Sequence, residues 1–343
     1  MILKKDQIIS AVEGSSILST GGGGSLGYAL ELVNKICSIE LVEIETLEKD
    51  DYIFSVFAVG SVSNEDNIDV FLDTIMKAKC ILERNVGTKF KAVIPIEIGP
   101  CSLAETFYLA SLMNIPIIDS DVVGGRCSPE LFLETISLDT NIKRCPLLYI
   151  TKNGISEIIN EADPYKLERF LRLISYNYNS YIYVVGYPMK VKDVFNILNK
   201  GSISSSISIG KSTGISNKIK AANAEKIFYG KIFSLEKYDI NGFLEGYLKI
   251  RGLEDFFGKE LKIYFRNENL IAWIDERAVV TCPDLISIID ENNLGISNND
   301  LKQHDNVCVL AIPAINLWKT KKGIELFCPR TFGFNIDYIP INK

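Results

Sequence analysis

The stretch that most limits what this chain can fold into runs from residue 91 to residue 121. "KAVIPIEIG" (91–99) reads as a buried strand, "PCSLAETFYLASLMN" (100–114) as a helix, and "IPIIDSD" (115–121) as a second strand. Two apolar strands joined through one helix over so short a span read as a parallel, right-handed crossover unit. The rest of the first half alternates in the same way. Helical spacing runs through 5–18 and resumes at Leu26, strands are expected at 39–47 and 51–61, and 67–85 reads as a long amphipathic helix. A further helix is expected at "SPELFLETI" (128–136) and a strand with a turn at "CPLLYITKNG" (145–154). This alternation is that of an α/β domain with a mostly parallel sheet.

The second half changes character. Residues 163–176 read as a helix and 181–187 as a strand, while "SISSSISIG" (202–210) fits either a strand or one face of a helix. From Phe228 onward short alternating segments dominate: "GYLKIRG", "ELKIYFRN", "LIAWID", "AVVTCPD", "NVCVLAIPA" and "GIELFCPR". Turn residues punctuate them, the pattern of a small β barrel or sandwich. A chain of 343 residues has room for two domains. We place the first at 1–175 and the second at 176–343, β-rich from about 228.

Charge and residue counts narrow the chemistry. The formal net charge is -6 and no long Lys/Arg block occurs, which argues against nucleic acid and anionic membranes as partners. The start, "MILKKDQIIS", lacks the apolar core of a signal peptide, and no apolar run approaches the roughly 18–20 residues of a membrane span. A cytoplasmic protein is expected. The eight cysteines form no C-x-x-C pair, so neither a zinc ribbon nor a disulfide scaffold is indicated. The single histidine, His304, excludes a site of several His ligands, and any metal would need carboxylates, Cys or carbonyl oxygens.

Within this frame "STGGGGSLG" (19–27) stands out. Gly22, Gly24 and Gly27 match the spacing of a dinucleotide-binding loop, but that motif follows a strand, and here a helix precedes it. Such a loop before a helix can still offer backbone N–H groups to an anionic or carbonyl oxygen; the alternative is a tight turn between helices, but four glycines are more than a turn requires, which favours the ligand loop. "GKST" (210–213) lacks the upstream glycine of a P-loop, since Ser205 stands there, and ATP binding is rejected.

Ligands of parallel α/β sheets bind beyond the carboxyl ends of the strands. Three such ends are polar: "VGSVS" (59–63), "EIG" (97–99) and "DSD" (119–121). Glu97, Asp119 and Asp121 are therefore candidates to hold a metal or to work as acid and base, against the alternative that they cap helices or face solvent. Arg126 would suit a substrate carboxylate, or else a surface ion pair. Cys101 at a helix start and Cys127 near the same edge are candidate thiols, with inert burial the plainer expectation for both. His304, in a loop, is expected at the surface. Asn316, Trp318, Arg330 and Phe332 belong either to the closure of the crevice or to the second domain's core and rim.

"ILSTGGGG", "AVIPIEIG", "IPIIDSDVVGGRCSPEL", "PDLI" and "PRTFGF" occur in an order and spacing that resemble the S-methyl-thiohydantoin desulfurase-like family, over nearly the whole chain. The resemblance implies an N-terminal three-layer αβα domain, a C-terminal β-barrel-like domain, and hydrolysis of a hydantoin-like or thiohydantoin-like ring with release of sulfur. It allows a divalent metal as cofactor. It carries Thr20, Gly21, Gly22, Gly23, Gly24 and Arg126 over as substrate-binding positions, and Glu97, Asp119 and Asp121 as catalytic ones. Family members often have an acidic residue where this chain has Ser25, and "D-G-M-G-R-A" where it reads "DVVGGRC". The alternative function is a non-catalytic partner or ligand-sensing subunit of a hydantoinase/oxoprolinase-type enzyme. The expected partners are thus a small-molecule substrate and such a protein, with association of the chain with itself left open.

Overall fold

The structure is a computed structural model that describes residues 1–341 except 62–66, 140, 155 and 162. The end of the polar segment 59–63 (Val62 and Ser63) lies outside the described residues. In chain order the first sheet takes β1 (Ile2–Lys4), β2 (Ser38–Val42), β3 (Tyr52–Val59), β4 (Ala92–Val93), β5 (Ile117–Ile118), then β7 (Leu147–Ile150), β8 (Ser156–Ile159) and β9 (Ile182–Lys190). The intervening β6 (Ser120–Asp121) pairs instead with β10 (Asn199–Lys200). The spatial order is β1-β2-β5-β4-β3-β9-β7-β8. The β2, β5, β4 and β3 strands run parallel, as the crossover over 91–121 requires, and both flanks continue antiparallel. The sheet is therefore mixed.

Alternation along its strands divides the core in two. Phe54, Val56, Tyr183 and Val185 pack on one face with α1 (Lys5–Leu18), α2 (Leu26–Val33), α3 (Leu72–Val86) and α4 (Pro100–Met113). Ile53, Phe57, Val59, Ile182 and Val184 pack on the other with α5 (Pro164–Tyr178) and α6 (Val191–Val194). The result is three layers. The expected boundary at 175/176 falls inside α5, and β9, beyond it, is an inner strand of the first sheet.

The ambiguous Ser/Ile segment is α7 (Ser202–Lys211), followed by α8 (Ile215–Ala221). Its small residues let it lie against α1: a Cβ on Gly14 would overlap the Ser206 carbonyl, and one on Gly210 the Ser10 carbonyl. The helix expected at 128–136 is not formed; only Thr135–Leu138 makes a short 3-10 turn. Side chains from elsewhere occupy the polar backbone groups a helix would pair: Arg172 donates to Pro129 O, Arg144 to Leu131 O, and Glu168 accepts from Leu131 N. The strand expected at "GIELFCPR" is also corrected: Lys321–Leu326 forms a short helix, α9, started by the Thr320 side chain accepting from Gly323 N.

The second sheet is antiparallel throughout. Its strands are β11 (Glu225–Ile240), β12 (Phe243–Gly252), β13 (Glu260–Arg266), β14 (Glu268–Ile274), β15 (Arg277–Thr281), β16 (Leu285–Ile289) and β17 (Asn306–Ile312), in the order β15-β14-β13-β12-β11-β17-β16. Register shifts at Ile232/Ser234, Lys226/Phe228, Tyr264/Phe265 and Ala272/Trp273 mark bulges, which bend strands. The sheet curls into a half-barrel around Phe228, Leu248, Ile263, Phe265 and Val309. No helix among the described residues is long and apolar enough to cross a membrane.

Candidate functional site

The glycine run lies between α1 and α2, with no strand before it. Thr20, Gly21, Gly23 and Gly24 all have positive φ, at 56, 89, 74 and 74°, a path that glycine follows without a Cβ penalty. Its carbonyls are held by the two neighbouring units. Asn269 N donates to Thr20 O (2.6 Å) and Asn298 N to Gly21 O (2.7 Å), both from the half-barrel. Cys101 N, in the first turn of α4, donates to Gly23 O (2.9 Å). The loop thus joins the αβα unit to the half-barrel, and its glycines leave room for specific side chains. A Cβ on Gly22 would lie 2.6 Å from Glu268 Cδ, and one on Gly23 would lie 2.9 Å from Cys127 Sγ. A Cβ on Gly99, at the N-cap of α4, would also overlap Cys127 Sγ.

Beside the loop lies a cavity of about 320 Å³, walled by both units. Gly23, Gly24 and Ser25 approach from the N-cap of α2, and Cys101 and Ser102 from the first turn of α4, so two helix N-termini open onto it. Such ends carry a partial positive charge, although at α4 Pro100 has no N–H and Cys101 N is bound to Gly23 O. The opposite chemistry comes from six carboxylates: Glu97, Glu105, Glu130, Glu134, Glu268 and Asp300. Arg172 is the cavity's basic side chain, and it is already committed to Glu168 (2.9 Å) and to the carbonyls of Gly60, Gly242 and Pro129.

Glu97 sits where the parallel β4 strand runs on toward α4, and its Oε2 accepts from Ser128 N (3.1 Å). Glu268 opens β14 directly after Asn267, whose positive φ of 56° turns the chain. Glu268 is 3 % exposed, and its Oε2 has no hydrogen-bond partner. Burial pushes Glu97 up to about 7, against the opposing Ser128 N–H. Burial and the nearby Glu97 hold Glu268 well above the ordinary carboxylate range. Glu105, which accepts from Tyr183 Oη (2.6 Å), is also pushed up to about 7 by burial. Neither Cys101 nor Cys127 is an activated thiol, since burial and neighbouring carboxylates raise both far above their usual value.

Of the residues singled out from the sequence, Glu97, Gly23, Gly24 and Cys101 line the cavity. Thr20, Gly21 and Gly22 lie behind that wall and shape it through Asn269, Asn298 and Glu268. Asp119 and Asp121 do not line it. The Asp119 carboxylate accepts from Ile203 N (2.9 Å), Ser204 N (3.1 Å) and Ser204 Oγ at the start of α7. Asp121 accepts from Val123 N, Gly124 N, Gly125 N and Asn199 Nδ2 at 2.6–3.0 Å. Both side chains are used to fix backbone, the capping alternative set against their catalytic role. Arg126 likewise points away from the cavity. It is fully buried, donates to Cys127 O (2.9 Å) and Pro283 O, and lies 4.7 Å from the Phe327 ring centroid. Trp318 is buried and donates to Val123 O (2.7 Å), Arg330 pairs with Asp337 at the surface, and His304 is exposed. The sequence does not mark Glu268: it stands among the turn residues that separate two alternating segments, and nothing local points to an acid whose neighbours come from residues 22, 97 and 127.

Glu97, Cys127 and Glu268 each bring one donor atom to a common point, all within 4.8 Å of one another. This is the set of described residues that could hold a metal ion.

Comparison with known proteins places this geometry in context. Residues 6–161 match the family model described as the S-Me-THD-like N-terminal domain, and residues 162–341 match the S-Me-THD-like C-terminal domain. No curated protein matches the chain. A crystal structure of a protein from Chromobacterium violaceum, a structural genomics target, superposes with a TM-score of 0.82 over 100% of both chains at 17% identity. At that identity the likeness is one of fold.

Proposed function

This chain belongs to the S-Me-THD-like family, the S-methyl-thiohydantoin desulfurase-like proteins, and on that premise we propose that it hydrolyses a small cyclic amide or thioamide of the hydantoin or thiohydantoin type. The observation that carries the reading is the pair of carboxyls, half-buried Glu97 and buried Glu268, set in a cavity whose other wall is made of helix N-termini. A cyclic amide or thioamide is polar in the matching sense. Its ring N–H groups donate toward carboxylates, and its C=O or C=S dipole points its negative end at helix N-termini.

Hydrolysis follows from two carboxyl groups in different protonation states. The ionised one takes a proton from water as the oxygen adds to the ring carbon. Negative charge passes to the carbonyl oxygen or thiocarbonyl sulfur, where the positive ends of the α2 and α4 dipoles stabilise it. The protonated carboxyl then gives its proton to the departing atom: nitrogen, with cleavage of the ring C–N bond, or sulfur, which leaves as sulfide or thiol. Each carboxyl ends in the other's starting state, and one further proton transfer resets the pair.

The test is a panel of hydantoins, thiohydantoins and S-methyl-thiohydantoins, followed by loss of ring absorbance and by sulfide or thiol release. Glu97→Gln is expected to lower turnover by about 10²- to 10⁴-fold, the usual contribution of a general acid or base. A panel without turnover, or a Glu97→Gln protein with full turnover, refutes the assignment.

A further inference from the structure

We propose that Glu97, Cys127 and Glu268 form a binding site for one divalent ion of the Zn²⁺ class, held by a thiolate and two carboxylates at the floor of the cavity. Three observations carry this. The donor atoms come from three separate parts of the chain, the β4–α4 connection, the loop before the 3-10 turn at 135–138, and the start of β14, yet lie within 4.8 Å of one another. The Glu268 Oε2 is buried without any partner, an atom that a cation would satisfy. No Lys or Arg among the described residues forms an ion pair with Glu97 or Glu268; Arg172 is used by Glu168, and Arg126 donates to backbone carbonyls. A buried and a half-buried carboxylate side by side with no ion-paired cation are costly, and proteins resolve such clusters by pairing or by metal coordination.

The packing around the cluster fits the same purpose. Gly22 abuts Glu268, while Gly23 and Gly99 abut Cys127, so three glycines give the donor side chains room that any Cβ would take. A sulfur donor beside two oxygen donors suits Zn²⁺ and its neighbours rather than Mg²⁺ or Ca²⁺, which take oxygen alone. Three protein donors are the number found in catalytic rather than structural zinc sites, which leave a further position open. Ion binding here does not depend on the hydrolase reading; with the ion bound, Glu97 and Glu268 are both ionised ligands and do not exchange protons as acid and base, and only the use of the open position by a ring substrate rests on that reading.

The experiment uses the full chain, stripped with chelator and titrated with Co²⁺ alone, then with Zn²⁺ alone. One equivalent of Co²⁺ is expected to give visible ligand-field bands and a near-ultraviolet sulfur-to-cobalt charge-transfer band. That band should vanish in Cys127→Ala, and Glu97→Gln and Glu268→Gln should each weaken binding at least tenfold. X-ray absorption on the Zn²⁺-loaded unmodified protein, which needs no variant to fold, should show one sulfur at about 2.3 Å with the remaining scatterers oxygen or nitrogen at about 2.0–2.2 Å. Absence of a Co²⁺ spectrum, a shell without sulfur, or a charge-transfer band that survives in Cys127→Ala overturns the site, the last by pointing to the exposed Cys37 or Cys80. If the ion binds but no ring in the panel is turned over, the site stands and the hydrolase reading falls.

Discussion

Gly22→Ala tests the account of the glycine run most directly. Ordinary Cβ contacts begin near 3.4 Å, whereas a Cβ at Gly22 would sit 2.6 Å from Glu268 Cδ and closer still to Oε1. The Glu268 carboxylate must therefore retreat by about 1 Å, in a cavity floor where overpacking of this kind costs about 1–3 kcal/mol. With an unfolding entropy near 2.1 cal/mol/K per residue, a chain of 343 residues loses about 1.5–4 °C of melting temperature if it unfolds as one unit. A displacement of 1 Å in a reacting group costs about 10²-fold in rate, so turnover should fall far more than stability does. Gly27→Ala is the control. It lies in α2, its Cβ would meet nothing nearer than Ser25 Oγ at 3.6 Å, and alanine favours a helix by up to about 1 kcal/mol over glycine. Differential scanning calorimetry and turnover on the same preparations separate the two. A double-mutant cycle completes the test: in a Glu268→Ala background the cost of Gly22→Ala should vanish, because the atoms it collides with are gone. If Gly22→Ala melts and turns over like Gly27→Ala, or costs the same with and without the Glu268 side chain, the packing argument is refuted.

Three further outcomes follow from the same geometry. Asp119→Ala removes the side chain that accepts from Ile203 N and Ser204 N, and should cost about 1 kcal/mol in a chemical denaturation curve with kcat unchanged. Asp121→Asn turns an acceptor of three backbone N–H groups into a group that also presents donors to them; about 2 kcal/mol of stability should be lost, again by denaturation and not through KM. The third concerns pH. Glu105 binds its proton more tightly when folded, at about 7 against an ordinary 4.5, so the native state holds more protons than the unfolded chain between those values. Stability conferred by that protonated carboxyl is present below pH 4.5 and is lost as pH rises to 7. Glu105→Gln should flatten the fall in melting temperature between pH 5 and 7, and an unchanged profile would show that Glu105 is not what titrates.

Several elements were legible because their cause is local. The crossover over 91–121 follows from two apolar runs and a helical period between them, and the β-rich second half follows from alternation broken by turns. The same locality explains the misses. "SPELFLETI" has helical spacing, but Arg144, Glu168 and Arg172 claim its backbone groups, and their approach is set by α5 and by the strands that carry them. "GIELFCPR" alternates, yet Thr320 caps it as a helix. Asp119 and Asp121 stand at a strand end as the sequence indicated, but which way a short carboxylate turns depends on where the nearest N–H groups lie, and these come from α7 and from the loop at 123–125.

The amino-acid order alone established the family resemblance, the two kinds of sheet and Glu97 as a polar residue beyond a strand, because periodicity and motif spacing are properties of neighbours along the chain, though that strand, β4, spans only Ala92–Val93 and not the expected 91–99. Tertiary structure alone decided that Glu268 faces Glu97, that Cys127 joins them, and that the glycines exist to make room for these side chains. The physical reason is distance in sequence. Glu97 and Glu268 are brought together by docking a half-barrel onto an αβα sandwich, and the Thr20 and Gly21 carbonyls that fix this docking are bonded to Asn269 and Asn298. No local pattern encodes such a contact, since it depends on the summed burial of two cores and not on any one segment's preference.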